Sequence, residues 1–419
     1  MKFIKRIWSN EFYQGGIIFT LASFVASFMN YLFNVFAARG LGPSGYGEIT
    51  TMFSYMAILS TPFLVITTII IQKVGVADHQ LSYAYALEKW FFGKIKKWWF
   101  VSIPFLIITP LLPRITNLHP NVAYTIVPMI LLSFVGTYYT ATFQGLRLFQ
   151  LIAINSLLST ILKLLGSILV VMGVDGIDTI LIFLLLSSII NVWFFYISLS
   201  KKFKSKTSQT DTIINKRIKD IFQNKKFLTT AISLFAISLF GNIDVIYVKK
   251  FFPPTTAGIY SSWSLLSKII LFAVGPIISL LFIFFTSKKN ENEQRRVFYI
   301  SMVGFALVGV TSFIAYTFFS GIITSILFGN KFIAVIPYFT KASLFGSIYL
   351  LVAFLNNYFL AKQSVKSIVL AMGIPIYIGV LFLLPRGISA VMTWNIVFGS
   401  IISLVYIGLY THSLLKKEV

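Results

Sequence analysis

The chain of 419 residues has no cysteine, which excludes disulfides and thiol chemistry. It has three histidines, His79, His119 and His412, far apart in sequence. No spacing of a metal site is present, so no metal is expected. Acidic residues are also scarce, 12 against 35 Lys and Arg, for a net charge of +23. A glycine-rich nucleotide loop and a nucleophile elbow are both missing, which argues against an enzyme and against direct ATP hydrolysis. What the chain has is apolar length: 57% of its residues are hydrophobic.

A hydrocarbon core about 30 Å thick requires roughly 20 apolar residues per helix. Backbone groups in lipid must be satisfied internally, so runs of this length are helices rather than strands. Twelve spans are expected, near 13–38, 45–72, 98–113, 121–143, 148–173, 177–200, 227–249, 256–286, 297–325, 333–360, 364–384 and 389–411. The expected fold is therefore an all-α integral membrane protein of about 12 transmembrane helices. The first span is too long for the core of a cleaved signal peptide and lacks a small-residue cleavage site.

The basic excess would suggest nucleic acid in a soluble protein. Here its placement gives another explanation. Of the 35 Lys and Arg, 26 fall in segments that alternate as one side of the membrane, six on the opposite side and three inside spans. The positive-inside rule accounts for that asymmetry, and no nucleic-acid partner is expected. Segment 201–226 alone carries Lys201, Lys202, Lys204, Lys206, Lys216, Arg217, Lys219, Lys225 and Lys226. With Lys2, Lys5, Arg6, Lys416 and Lys417, it places both termini in the cytoplasm.

That linker divides the spans six and six, giving an N-terminal lobe 1–200, a basic cytoplasmic linker 201–226 and a C-terminal lobe 227–419. An internal repeat supports the division. At an offset of 211 residues, Arg39, Pro43 and Gly47 align with Lys250, Pro254 and Gly258. With an even number of spans in each half, both insert the same way. They are then related by a pseudo-two-fold axis along the membrane normal, with substrate expected between them. Residues 79–97 mix Leu81, Leu87, Trp90, Phe91, Phe92 and Ile95 with Glu88, Lys89, Lys94, Lys96 and Lys97, the pattern of an amphipathic interfacial helix. Residues 287–297 are expected to form a short charged turn.

Polar residues inside the spans fall on stripes. Thr20, Ser23, Ser27, Asn30 and Asn34 recur at spacings of 3 and 4, and so share one helical face. Asn155, Ser159, Lys163 and Ser167 recur strictly by four. Ser261, Ser264 and Lys268 form a third stripe, and Lys341, Asn356 and Asn357 lie on a fourth span. Small polar residues also help helices pack, but that does not explain the lysines. A Lys near a helix centre costs on the order of 2.5–3.5 kcal/mol on insertion scales. Lys163 and Lys268 should therefore face water, an acid or an anionic ligand, while Lys341 is near enough to a span end to snorkel. Asp244 and Glu48 are the candidate coupling groups for a sodium or proton gradient. The intramembrane charge is net cationic, opposite to what an exporter of organic cations needs. Cations among Ser, Thr and Asn suit a ligand with phosphates and many hydroxyls.

Several motifs carry a family resemblance. The run Ala38-Arg39-Gly40-Leu41-Gly42-Pro43-Ser44-Gly45-Tyr46-Gly47 resembles the first external loop of bacterial polysaccharide flippases, of the superfamily that includes the multidrug and toxin extruders. Gln144-Gly145-Leu146-Arg147, Asn242-Ile243-Asp244 with Ala257-Gly258-Ile259-Tyr260-Ser261, and Leu327-Phe328-Gly329-Asn330-Lys331-Phe332 are similar to later turns of that family, in order. Ser44 departs from the pattern, which often has an acid there. The resemblance implies two six-helix lobes around a central cavity and alternating access. It implies movement of a lipid-diphosphate-linked oligosaccharide, on a polyprenyl carrier, from the inner to the outer leaflet of the cytoplasmic membrane. Membrane lipids and other glycan-assembly proteins would be its partners.

In that reading Lys163, Lys268 and Lys341, with Asn30, Asn34 and Asn155, bind substrate, while Arg39 and Lys250 stand at the outer rim. Cationic capping of helix C-termini is the plainer role for those two. The rivals are an exporter of drugs or other small solutes on the same fold, and a membrane polymerase or ligase of lipid-linked glycans. Every expected external loop is too short for the catalytic groups a polymerase needs.

Overall fold

The computed structural model describes residues 11–77, 79–97, 100, 103, 107–174, 176–203, 225–286 and 291–415. Among the described residues every regular element is helical. Helix α1, Glu11–Val76, contains both of the first two expected spans and breaks at Gly42, whose φ of 67° lies in the left-handed region that glycine tolerates. Helix α2, Gln80–Lys97, is the expected amphipathic segment. A 3₁₀ turn, Thr109–Leu111, leads to α3, Leu112–Thr116. Much of the expected span 98–113 lies outside the described residues. Helices α4, Pro120–Gly145, α5, Phe149–Val171, and α6, Gly176–Phe203, follow. Proline at the start of α4 suits a position that needs no backbone donor. Most of linker 201–226 is outside the described residues.

The seventh expected span is two helices, α7, Lys225–Phe240, and α8, Ile243–Phe251, bent by 40° at Gly241-Asn242. Helix α9 is Pro254–Thr286 and α10 is Glu291–Leu327. The charged residues expected to form a turn are therefore helical from Glu291 onward. Glu291 and Glu293 stand in the first turn, where the helix dipole favours acids, and Glu291 faces Arg295 one turn later at 3.9 Å. A 3₁₀ segment, Asn330–Tyr338, leads to α11, Phe339–Ala361. A second, Val365–Ile368, leads to α12, Val369–Leu383, and α13, Ile388–Leu415, completes the chain. Nine described helices, plus the bent α7–α8 pair, are long and apolar enough to cross a membrane. The protein is a multi-pass, all-α membrane protein.

Packing divides the chain into two compact units, Met1–Leu41 with Leu59–Phe227, and Gly42–Ile58 with Leu228–Val419. Gly42–Ile58, which includes the first part of the second expected span, groups with Leu228–Val419. In the first unit, α2 packs its apolar face on α4, with Phe91 stacked on Tyr138 at 4.1 Å, while Phe143 meets Phe195 of α6 at 4.7 Å. In the second, Trp263 stacks on Phe345 at 5.4 Å, and Phe240 is surrounded by Phe345, Tyr349, Tyr377 and Phe398. Such aromatic pairs add about 0.5–1.5 kcal/mol each beyond the area they bury.

The segment 42–58 is held to the second unit by three kinds of contact. Gly47 abuts the backbone of Gly258, where a Cβ on Gly47 would stand 3.0 Å from the Gly258 nitrogen. Tyr46, fully buried, packs edge-on against Phe332 at 6.1 Å and against Phe328 at 6.4 Å. Glu48 forms an ion pair with Lys249 of α8, which is 3% exposed. The two repeat glycines found in the sequence are thus in direct contact.

Candidate functional site

The strict i, i+4 stripe on α5 turns its polar side inward. Asn155, Ser159 and Ser167 are buried. Lys163 lines a cavity of about 390 Å³ inside the first unit, with Ser159, Thr137, Ser187, Ser188 and Asn191 among its walls. Asn191, on α6, ties the walls together. Its Nδ2 donates to Ser159 Oγ at 3.2 Å, and its backbone carbonyl accepts from Asn155 Nδ2 at 3.2 Å. Asn155 Oδ1 is buried without a partner among the described residues. Gly136, on α4, forms part of the wall, since a Cβ there would stand 3.2 Å from Asn191 Oδ1.

No described carboxylate lines this cavity, and its polar side chains are one ammonium, seven hydroxyls and two amides. The charge therefore favours an anion, while Ser, Thr and Asn groups bond sugar hydroxyls. The volume falls at the low end of the range for small-ligand sites. Asn30 reaches the same helix: its Nδ2 lies 3.5 Å from Thr160 Oγ1 and 3.0 Å from the Ala26 carbonyl. Asn34 Nδ2 donates to the Asn30 carbonyl at 2.8 Å.

The second unit holds a buried polar network at the α7–α8 break. The break places Asp244 in the first turn of α8, where backbone donors and the dipole favour a carboxylate. Asp244 is 1% exposed. Its Oδ2 accepts from Tyr260 Oη at 2.5 Å and from Asn395 Nδ2 at 2.8 Å. Tyr377 Oη donates to Asn395 Oδ1 at 2.5 Å. Asp244 Oδ1 has no hydrogen-bond partner among the described residues. Lys268, two turns beyond Tyr260 on α9, is within electrostatic reach of Asp244. No group of three His, Asp or Glu able to hold a metal exists among the described residues.

The remaining expected site residues lie elsewhere. Glu48 is engaged by Lys249 in a buried ion pair. Arg39 and Lys250 are exposed. Lys341 donates to Ser389 Oγ at 2.7 Å, Thr393 Oγ1 at 2.8 Å and the Ser389 carbonyl at 3.3 Å, all on α13. Lys249, Tyr260, Tyr377, Asn395 and Asn191 escaped the sequence analysis. Asn191 and Asn395 carried a signal, an amide in the middle of an apolar run, and Tyr260 extends the Ser264–Lys268 stripe by one turn.

Outside the spans, Glu88 of α2 accepts a hydrogen bond from Tyr139 Oη at 3.0 Å. Burial pushes its carboxyl above the ordinary value, and that hydrogen bond partly opposes the rise.

The fold is shared with solved transporters. An inward-facing multidrug resistance MATE family transporter of the MOP superfamily aligns with a TM-score of 0.71 at 13% identity, over 94% of this chain and 96% of that one. The lipid II flippase MurJ in an inward closed conformation aligns with a TM-score of 0.67 at 15% identity, over 94% of this chain and 87% of its own. A MATE protein in a bent conformation gives 0.61 at 12%, over 99% and 98%. No curated protein sequence matches. At the level of sequence families, the profile described as "Polysaccharide biosynthesis protein" matches residues 12–285. That match covers well over half of the chain, and the protein belongs to this polysaccharide biosynthesis family.

Proposed function

We propose that this membrane transport protein flips a lipid-diphosphate-linked oligosaccharide from the inner to the outer leaflet of a bacterial cytoplasmic membrane, by alternating access, with both termini cytoplasmic. The observation that carries the reading is Lys163, an intramembrane ammonium in a cavity of hydroxyls and amides with no described carboxylate. It neutralises the diphosphate, while Ser159, Asn191 and their neighbours bond the adjoining sugar. A cavity of about 390 Å³ accommodates the anionic end of such a lipid rather than a long glycan. The remainder of the glycan therefore contributes little to recognition, and the polyprenyl tail stays in lipid. Membership in a polysaccharide biosynthesis family supports the same substrate class.

Asp244 is the coupling group in this reading. A proton or sodium ion at its open Oδ1 weakens the hold of the carboxylate on Lys268 and leaves that ammonium available to an anion. Cation and anion binding in the second unit then favour one another, and the coupling is reciprocal. Arg39 and Lys250 serve the outer rim, and other glycan-assembly proteins supply and consume the substrate.

Export of drugs or small solutes is the second reading, favoured by the fold shared with a multidrug transporter. A cationic cavity disfavours cationic drugs. Resistance profiling of a deletion strain separates the two: unchanged drug tolerance with accumulated lipid-linked glycan supports flipping, and the reverse pattern refutes it.

A further inference from the structure

Lys341 stands in a different setting from Lys163. Its ammonium is held by three neutral oxygens of Ser389 and Thr393, and no described carboxylate pairs with it. Its charge is therefore bonded but not compensated. Beside it opens a cleft of about 540 Å³ whose lining includes Leu384, Ser389, Ala390, Thr393, Trp394 and Val397. The cleft lies where two spans end, between the last residue of α12, Leu383, and the first of α13, Ile388. The end of a span is where a lipid headgroup meets the protein. Arg386, in the connecting turn, is exposed.

Below the cleft the same face of α13 is apolar and uncovered. Thr393, Val397, Ile401 and Leu404 follow at spacings of 4, 4 and 3, so they share one side. Val397, Ile401 and Leu404 are 42%, 49% and 68% exposed in a helix apolar enough to span the bilayer. From Thr393 to Leu404 the helix rises about 16 Å, half of a hydrocarbon core about 30 Å thick. A cation at the head and an apolar strip one leaflet long match the two parts of a lipid.

We infer that Lys341, Ser389 and Thr393 form a binding site for the phosphate of an anionic phospholipid, whose acyl chains lie along the Val397–Ile401–Leu404 face of α13. Ser389 Oγ accepts from Lys341 and donates to no described acceptor, so its polarised hydroxyl can donate to a phosphate oxygen, while Thr393 Oγ1 donates to the Ser389 carbonyl and serves to hold the lysine. Arg386 adds charge at the mouth. Basic pockets between transmembrane helices bind anionic lipid headgroups on the cytoplasmic side of membranes, and the same chemistry applies to this cleft at the opposite, outer end of α13. The site belongs to the second unit alone and needs no transported substrate.

Native mass spectrometry of the full chain, purified in detergent and titrated with phosphatidylglycerol or phosphatidylcholine of matched acyl length, tests this. The expected result is tighter retention of one phosphatidylglycerol, weakened about tenfold or more by Lys341→Met, which removes the uncompensated charge at the head of the site. Ala390→Trp, which fills the cleft and leaves the lysine in place, should weaken it similarly and carries the test where the lysine variant fails to fold. Lys163→Met should leave it unchanged, so this inference and the flippase reading fail separately. Equal retention of the two lipids, or retention untouched by both cleft variants, overturns the site. Displacement by inorganic phosphate, preference for a polyprenyl phosphate, or lipid-independent dimers lost in the same variants would each overturn the phospholipid assignment.

Discussion

Replacing Lys163 by methionine separates a ligand-binding lysine from a structural one. The side chain keeps its length and loses its charge. A hydrogen bond to a charged group is worth about 1.5–3 kcal/mol, so the loss from a bound diphosphate corresponds to about 10- to 150-fold in affinity. The effect on the protein itself has the opposite sign. An intramembrane lysine opposes insertion by up to about 2.5–3.5 kcal/mol, less where its head reaches a polar cavity. With no described ion pair to break, Lys163→Met should leave thermal stability unchanged or raised while export falls at least tenfold. Lys163→Arg should retain part of the activity, because it keeps the charge. The assay is surface glycan per unit of membrane-inserted protein, with the melting temperature measured on the same preparations. Normal export by the methionine variant at equal expression would refute the cavity assignment. A variant that loses export only because it melts earlier would refute the claim that the lysine serves a ligand.

Asp244→Asn should abolish dependence of transport on the driving cation and leave the fold intact, as judged by size-exclusion chromatography; retained cation dependence would exclude Asp244 from coupling. Glu48→Gln removes the carboxylate that neutralises buried Lys249 and should destabilise by about 3–5 kcal/mol, whereas the double variant Glu48→Gln with Lys249→Met should recover much of that in thermal unfolding. Gly258→Ala drives a methyl into the Pro43 carbonyl, an overpacking worth about 1–3 kcal/mol or more, and should lower the melting temperature. Glu88 has a carboxyl raised by burial, so the folded state favours its protonated form. Stability from this group is full at pH below the ordinary carboxyl value and declines as pH rises through the raised value; Glu88→Gln should remove that decline in melting curves taken across the range.

Hydrophobic runs made the helical class and most spans legible, because lipid permits few alternatives to a helix. The α5 stripe was legible too, since residues four apart share a face whatever surrounds them. Which helix supplies the opposite wall was not: Asn191 lies 36 residues from Asn155 and meets it only through packing. Lys249 and Lys250 are adjacent, yet one is buried against Glu48 and the other exposed. A rotation of 100° per residue decides this, and the run of α8 is too short to phase it. Gly241-Asn242 is a turn signal inside an apolar span, and its consequence for Asp244 follows from the bend. The grouping of 42–58 with the second unit rests on pairs about 200 residues apart, such as Glu48 with Lys249. Local pattern cannot reveal such pairs.

The most direct test of the flippase reading is the pool of lipid-linked intermediates in cells lacking this protein, profiled by mass spectrometry. The account predicts accumulation of one polyprenyl-diphosphate glycan, reversed by the intact chain and not by Lys163→Met. An unchanged pool in cells confirmed to be making surface glycan would contradict it.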